Sequence, residues 1–273
     1  MADAIRTGPP LYRLAGNIAD PSADTHGPWN TYSQHGGAPT ALIAHVADTF
    51  PAPAPMWVTR LTVDLMRPVP IAPLTISTTV LREGRNIQLL QINLSAGDKE
   101  VTRATALRVR KLEVNTPARA HPPKQKWPSP EDCPPIPDIA PVGLSRHVDF
   151  RMADGRFRDG AAAPIWMKLN CQFLEAPGIA PGTTPPLLHG ALMADYLNGM
   201  TGALSFQDWT FINAELTIHF AREPRGDWSM VEATSWIGTD GRGIGFSTLS
   251  DREGAFGRAS QSLVIEPRAK KNA

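Results

Sequence analysis

Three side chains stand out for the chemistry they could do: the carboxylate of Asp195, in Met193-Ala194-Asp195-Tyr196-Leu197, and the carboxamides of Asn213 and Gln261. They become conspicuous against an internal control, because the chain repeats itself. When the two halves are superposed on their shared motifs, Asp195 falls on Ala41, Asn213 on Val58 and Gln261 on Ala106. Three apolar positions of the first copy are thus polar in the second. A buried polar group without a partner costs about 1–3 kcal/mol, so three of them would be a poor packing choice unless they bond one another or a ligand. The asymmetry points to one site, carried by the second half. The helical neighbours of Asp195 are largely apolar, and desolvation disfavours the charged form of a carboxylate in such a setting, which suits a general base toward water. The competing reading makes Asp195 a solvated helix residue or a cap on a nearby amide, and makes Asn213 and Gln261 a pair of cross-strand hydrogen bonds.

A second set of residues lies in His35-Gly36-Gly37. The start of a helix presents backbone N–H groups that can stabilise a developing oxyanion, and glycine lets a ligand approach that backbone closely. Gly36 and Gly37 would serve in this way; a plain tight turn is the alternative. His35 reads as a substrate-binding rather than a catalytic residue, since His189-Gly190 recurs 154 residues later and a turn-stabilising role at the start of the helix in both copies fits equally.

These residues must be positioned by helices and strands, and the pattern of the chain supplies them. Residues 37–50 form a mostly apolar stretch at helical spacing, preceded by Gly36-Gly37 and stopped by Pro51, which predicts a buried helix. Four β-rich stretches follow, 57–66, 74–82, 86–95 and 101–109, separated by turn chemistry at 68–73, Glu83-Gly84-Arg85 and Gly97-Asp98. Alternation such as Leu74, Ile76, Thr78, Val80 predicts antiparallel strands with one face on a core. The same order restarts later: a strand over 165–173, a helix over 187–206, then strands over 210–222, 228–237, 243–250 and 255–265. Leu61-Thr62-Val63 with Arg67 recurs as Leu216-Thr217-Ile218 with Arg222, and Arg103-Ala104-Thr105 as Arg258-Ala259-Ser260, both 155 residues on. Gly84-Arg85-Asn86-Ile87 recurs as Gly241-Arg242-Gly243-Ile244 at 157, a drift that a two-residue insertion explains. Four matches in one order indicate a duplication. The expected organisation is an N-terminal domain over 1–115 that includes a turn-rich arm with a short strand over 11–14, a Pro-rich linker over 116–141 resembling a semi-rigid spacer, and a C-terminal domain over 142–273 carrying the site.

A helix wrapped by an antiparallel meander, present twice, is an α+β architecture that looks like a tandem (double) hotdog. Gln34-His35-Gly36-Gly37-Ala38-Pro39, with Arg60-Leu61-Thr62-Val63-Asp64-Leu65-Met66-Arg67-Pro68-Val69-Pro70, resembles the double-hotdog acyl-CoA thioesterase family, which includes bacterial acyl-CoA thioesterase II. The second copy adds Phe211-Ile212-Asn213, Leu216-Thr217-Ile218-His219 and Gly257-Arg258-Ala259-Ser260-Gln261-Ser262, so the resemblance spans about residues 34–267. It implies hydrolysis of an acyl-CoA thioester within lipid metabolism. It also implies an Asp on the second helix, a Thr or Asn on the next strand and a Gln on the last strand, which together activate water. Asp195, Asn213 and Gln261 stand at those positions, with Asn213 in place of the Thr of some members. Two other readings stay open: a non-catalytic acyl-CoA binding protein, and a hotdog hydratase acting on an enoyl thioester. The hydratase usually shows an Asp/His pair on one helix, and no His follows Asp195 by four or five residues.

Composition narrows the rest. With 42% hydrophobic and 19% charged residues, the 273-residue chain can bury a large core, as two domains or one larger body. Lys+Arg at 27 against Asp+Glu at 26 gives no strong field, so neither nucleic acid nor an anionic membrane is an expected partner. Cys133 and Cys171 stand in unrelated contexts, too few for a disulfide framework or a thiolate zinc site, and neither has a basic neighbour to make it a nucleophile. No metal-ligand spacing, dinucleotide fingerprint or Gly-x-Ser-x-Gly elbow occurs, so no cofactor and no serine nucleophile are expected. No signal-like or membrane-spanning run appears, which predicts a cytoplasmic protein. Exposed sheet edges invite further pairing and predict a homo-oligomer.

Overall fold

The computed structural model describes residues 9–136, 139, 141–154 and 164–268. In chain order the elements are β1 (Tyr12–Ala15), β2 (Ile18–Pro21), α1 (Gly37–Thr49), β3 (Met56–Leu65), β4 (Leu74–Glu83), β5 (Ile87–Ala96) and β6 (Lys99–Arg110) in the first half. The second half contains β7 (Val148–Met152), β8 (Pro164–Leu169), β9 (Leu174–Glu175), α2 (Pro186–Ala194), β10 (Trp209–Asn213), β11 (Glu215–Phe220), β12 (Ser229–Ile237), β13 (Arg242–Asp251) and β14 (Gly254–Pro267). Residues 37–45 of α1 are all buried, as expected of a helix that is apolar on every side. Phe50 turns extended ahead of Pro51, whose ring excludes a further helical turn.

Among the described residues one sheet runs β7-β8-β12-β13-β14-β11-β3-β6-β5-β4-β2-β1-β9, with β10 pairing β14 off that path. It consists of two antiparallel meanders joined where β3 meets β11. Equivalent residues of a two-fold repeat must face each other at one pair of that junction. Thr62 faces Thr217, 155 residues away, with the hydroxyls 3.3 Å apart. Both copies also carry a bulge at the same place: β3 breaks register between Val58 and Arg60, and Ala214, the counterpart of Thr59, separates β10 from β11. Helix α1 lies against β3, β5 and β6, α2 lies against β8, β12 and β13, and the two helices pack on each other. The architecture is a tandem hotdog, as the sequence resemblance implies.

Several elements differ from expectation. The second helix stops at Ala194 and tightens into a 3-10 turn over Asp195–Leu197, well short of residue 206. Gly199 and Gly202, the latter at φ 64°, carry the chain away from the helical path. The strand expected over 210–222 is split by the bulge into β10 and β11. Strands β2, β7 and β9 were not expected; they are two to five residues long and hold their shape through their neighbours. The Pro-rich segment is stitched onto the second half and does not span free space. The Trp127 indole donates to Glu232 (3.2 Å), the Trp166 indole donates to the Pro128 carbonyl (2.9 Å), and Lys124 and Pro135 form bridges with Gly254 and Arg151. The arm also has a defined course. Strand β1 runs parallel to β9 of the second half while β2 pairs β4 of the first, so the arm clasps the two halves, and the buried Tyr12 hydroxyl donates to Gln34 Oε1.

The β13–β14 hairpin is anchored by Asp251. Its carboxylate accepts both terminal nitrogens of Arg222 at 2.6 Å and the backbone N–H groups of Arg225 and Glu253 at 2.9 Å. Burial alone would raise this carboxyl; the Arg222 guanidinium and the two amides outweigh it and hold the group below the usual range. Asp251→Ala should lower stability by about 3 kcal/mol, the low end for breaking a buried ion pair, because Arg222 retains some solvent. Denaturant unfolding of both proteins at neutral pH measures this.

Candidate active site

The carboxylate of Asp195 sits where α2 passes into its terminal 3-10 turn, and it is 7% exposed. Its oxygens are used differently. Oδ1 accepts from Asn213 Nδ2 at 2.9 Å and from Gln261 Nε2 at 3.0 Å. Oδ2 lies 3.0 Å from His35 Nδ1. Gln261 Nε2 is also 3.3 Å from the Asp195 carbonyl, and Gln261 Oε1 is buried with no partner among the described residues. The local folding follows from the strands. Asn213 is the last residue of β10 before the bulge, and Gln261 stands two residues from its register partner Leu263 on β14, so both carboxamides project toward the end of α2. The structure thus brings the three polar residues together, and each amide spends a donor on the same carboxylate oxygen.

The first half completes the cluster. The His35 ring stacks on Tyr196 with centroids 4.4 Å apart. Its Nδ1 is also 3.1 Å from the Gly37 N–H, so that nitrogen either carries a proton toward Asp195 or receives the glycine amide. Gly36 is the residue before α1. A Cβ there would stand 2.9 Å and 3.1 Å from the two Asp195 oxygens, and one at Gly37 would stand 2.7 Å from the Leu192 carbonyl. The Gly36 N–H has no partner among the described residues. His35, Gly36, Asp195, Tyr196 and Asn213 line one cavity of about 620 Å³, aromatic along Trp29, Phe206 and Phe211, while Gln261 and Gly37 lie behind its wall. Those three rings pack at centroid distances of 4.6–5.5 Å. No cluster of three or more His, Cys, Asp or Glu suited to a metal occurs among the described residues.

The family model described as the acyl-CoA thioesterase N-terminal domain matches residues 25–109, and that of the C-terminal domain matches residues 130–265. The chain belongs to the double-hotdog acyl-CoA thioesterase family. It is a thioester hydrolase. Among solved structures the thioesterase is similar to a conserved hot dog fold protein from Alicyclobacillus acidocaldarius, with TM-score 0.72, 17% identity, and 94% of this chain and 96% of that one covered. It is also similar to acyl-CoA thioesterase II TesB2 from Mycobacterium marinum, with TM-score 0.65, 15% identity and 96% of each chain covered. A third is the tesB protein of Mycobacterium avium subs paratuberculosis, with TM-score 0.63, 16% identity, and 86% and 88% covered. These likenesses establish the fold. No curated protein matches the chain. No helix among the described residues is long and apolar enough to cross a membrane.

The equivalence of His35 and His189 does not survive in three dimensions. His35 precedes α1, whereas His189 is the fourth residue of α2 and is buried in the wall, where Nδ1 pairs with Ser229 Oγ at 2.9 Å and Nε2 accepts the Leu169 N–H at 3.3 Å. The sequence comparison therefore hid the contact between His35 and Asp195. That contact joins residues 160 positions apart, and the His35-Gly36-Gly37 string was its one legible trace.

Two outcomes follow for the thioesterase. Gly36 has φ −57°, which alanine tolerates, but its Cβ would stand 2.9 Å from the held Asp195 carboxylate, so Gly36→Ala should displace that carboxylate and lower the melting temperature modestly. Turnover should fall about 10²-fold, the scale of a 1 Å misplacement at a reacting centre; thiol release and thermal melting of the same sample measure both. Burial holds His189 down at about 4. Between pH 6.5 and that value the unfolded chain binds a proton that the fold does not, so stability should fall by a few kcal/mol on acidification across this window. Urea unfolding at stepped pH should show this loss, and His189→Gln should flatten it.

Proposed function

We propose that the thioesterase hydrolyses acyl-CoA thioesters to the free acid and CoA using a water activated by Asp195. The observation that carries this is the one-sided use of the carboxylate. Asn213 and Gln261 both donate to Oδ1, so the carboxylate is held in one orientation with Oδ2 beside Gly36 and His35 in the cavity. A water there gives its proton to Oδ2 as its oxygen attacks the thioester carbonyl carbon. The carbonyl electron pair moves onto oxygen, where the Gly36 N–H at the positive end of α1 meets the developing charge. The C–S bond then breaks and the proton returns from Asp195 to the departing thiolate, which balances water, acid and thiol. Asn213 does this positioning as an amide donor; no hydroxyl is needed. His35, held by Tyr196, completes the substrate-binding wall; Gly37, expected to bind substrate, instead lies against Leu192 of α2 behind the cavity lining, and the acyl chain lies in the apolar part of the cavity.

A second reading has one observation in its favour. The lack of a His four or five residues after Asp195 argued against an enoyl-thioester hydratase, yet His35 of the first half supplies an imidazole 3.0 Å from Asp195. Both readings are decided by one panel. Free-thiol release should be seen from saturated acyl-CoAs of short to long chain and from an aromatic one. Asp195→Asn should lower kcat at least about 10²-fold, the lower bound for removing a positioned base, with KM little changed. Loss of the enoyl absorbance from a 2-enoyl-CoA without thiol release would select hydration instead. Undiminished hydrolysis by Asp195→Asn would remove Asp195 from the mechanism.

A further inference from the structure

We propose that Arg67 and Arg268 form a phosphate-recognition site on the rim of the cavity, holding the phosphorylated carrier end of the thioester. The inference rests on the thioesterase reading of the site and adds to it where the substrate's charge is bound.

The internal repeat again isolates the feature. Arg222 of the second copy is locked by Asp251 through two 2.6 Å hydrogen bonds and donates a third to the Gly254 carbonyl. Its counterpart in the first copy is Arg67. The hairpins superpose at the same shift of 155, since Asp251 and Gly254 close the β13–β14 turn as Ala96 and Lys99 close the β5–β6 turn. Alanine therefore stands where the locking carboxylate would be. Arg67 keeps one bond, to the Glu100 carbonyl at 3.2 Å, while both carboxylate oxygens of Glu100 are taken by Arg103 at 2.6 and 3.0 Å. The freed guanidinium is exposed and lines the cavity.

Arg268 reaches the same rim from the second half. Its backbone N–H donates to the Asp208 carbonyl at 2.8 Å, and its guanidinium lies over the Trp29 ring at 5.2 Å. Neither arginine forms an ion pair among the described residues. The cavity lining among those residues contains one carboxylate, Asp195, which is already met by two amides and His35. The rim is thus cationic. On β14 Leu263 faces Asn213, and Arg268, just past the end of that strand, is five residues further on, about 16 Å at ~3.3 Å per residue. That spacing suits an extended pantetheine arm between a thioester at Asp195 and a phosphate at the mouth. Guanidinium suits phosphate because its planar fork donates two parallel N–H groups. The anion could instead be a carboxylate on the acyl group. The exposed position of both arginines favours the carrier end, because the acyl carbonyl has to enter as far as the buried Asp195.

The test compares three substrates: hexanoyl-CoA, hexanoyl-pantetheine, which lacks phosphate, and adipoyl-pantetheine, whose only anion is on the acyl group. Arg67→Ala and Arg268→Ala should each raise KM for hexanoyl-CoA roughly tenfold, the conversion of one lost charged hydrogen bond, with kcat little altered. For hexanoyl-pantetheine kcat/KM should change less than twofold. Titration calorimetry with CoA alone should show the same roughly tenfold weakening in each variant. Equal losses on the two hexanoyl substrates, no loss on either, or a loss confined to adipoyl-pantetheine would overturn the proposal. If the wild type cleaves none of the three, hydrolysis of these substrates fails by itself; the calorimetry still decides, since unchanged CoA affinity in both variants overturns the phosphate site and weakened affinity upholds it.

Discussion

Gly36 and Gly37 let the start of α1 lie directly on the end of α2, and the rest of the site depends on that contact. A methyl group at either position would meet an Asp195 oxygen or the Leu192 carbonyl at under 3 Å, so the approach exists only because both residues lack a Cβ. Through it the carboxylate of one half meets the imidazole of the other. Neither half has the cluster alone: Asp195, Asn213 and Gln261 come from the second, and His35 and Gly36 from the first. The pairing of β3 with β11 sets the halves at this separation, with Thr62 and Thr217 meeting at the dyad.

The symmetry of the sheet makes the departures from symmetry informative. Strand lengths, the bulge and the hairpins repeat because backbone hydrogen bonding tolerates many side chains. Side-chain chemistry has diverged on top of this common frame. The second half has the ion pair of Arg222 with Asp251 and three polar groups in its interior, whose bonds to one another offset part of the cost of burial. The first half has apolar Ala41, Val58 and Ala106 and, at Ala96, lacks the carboxylate that would hold Arg67. One copy provides the polar cluster of Asp195, Asn213 and Gln261, while the other provides His35, the glycine approach and the exposed Arg67.

The segments outside the repeat bind the halves together. The arm adds β1 to a strand of the second half and β2 to a strand of the first, and its continuation places Trp29 against Phe206 and Phe211 in the cavity wall. Residues 143–147 pack under the same arm, with Leu144 N–H donating to the His26 carbonyl and His147 3.0 Å from Asp24. The aromatic part of the cavity is therefore built from the arm as well as from the second half.

The long strands were legible in the sequence to within about two residues, because period-two alternation and glycine or proline turns act locally. Burial of α1 was equally legible, since a stretch apolar on all sides has only the core to occupy. The repeat marked Asp195, Asn213 and Gln261 without any structure, because a polar residue replacing an apolar one in the same frame needs a reason. Other features needed the tertiary fold. The end of α2 at Ala194 is set where Asp195 is drawn to Asn213 and Gln261, a competition that helical periodicity does not register. Strands β2, β7 and β9 are too short to carry a pattern and exist because a sheet edge holds them. The meeting of His35 with Asp195 joins residues 160 apart through a sheet and two packed helices, and the repeat pointed elsewhere, to His189. Residue types and local pattern determined which elements form and which side chains are out of place; only packing at long range decided which of those side chains face one another.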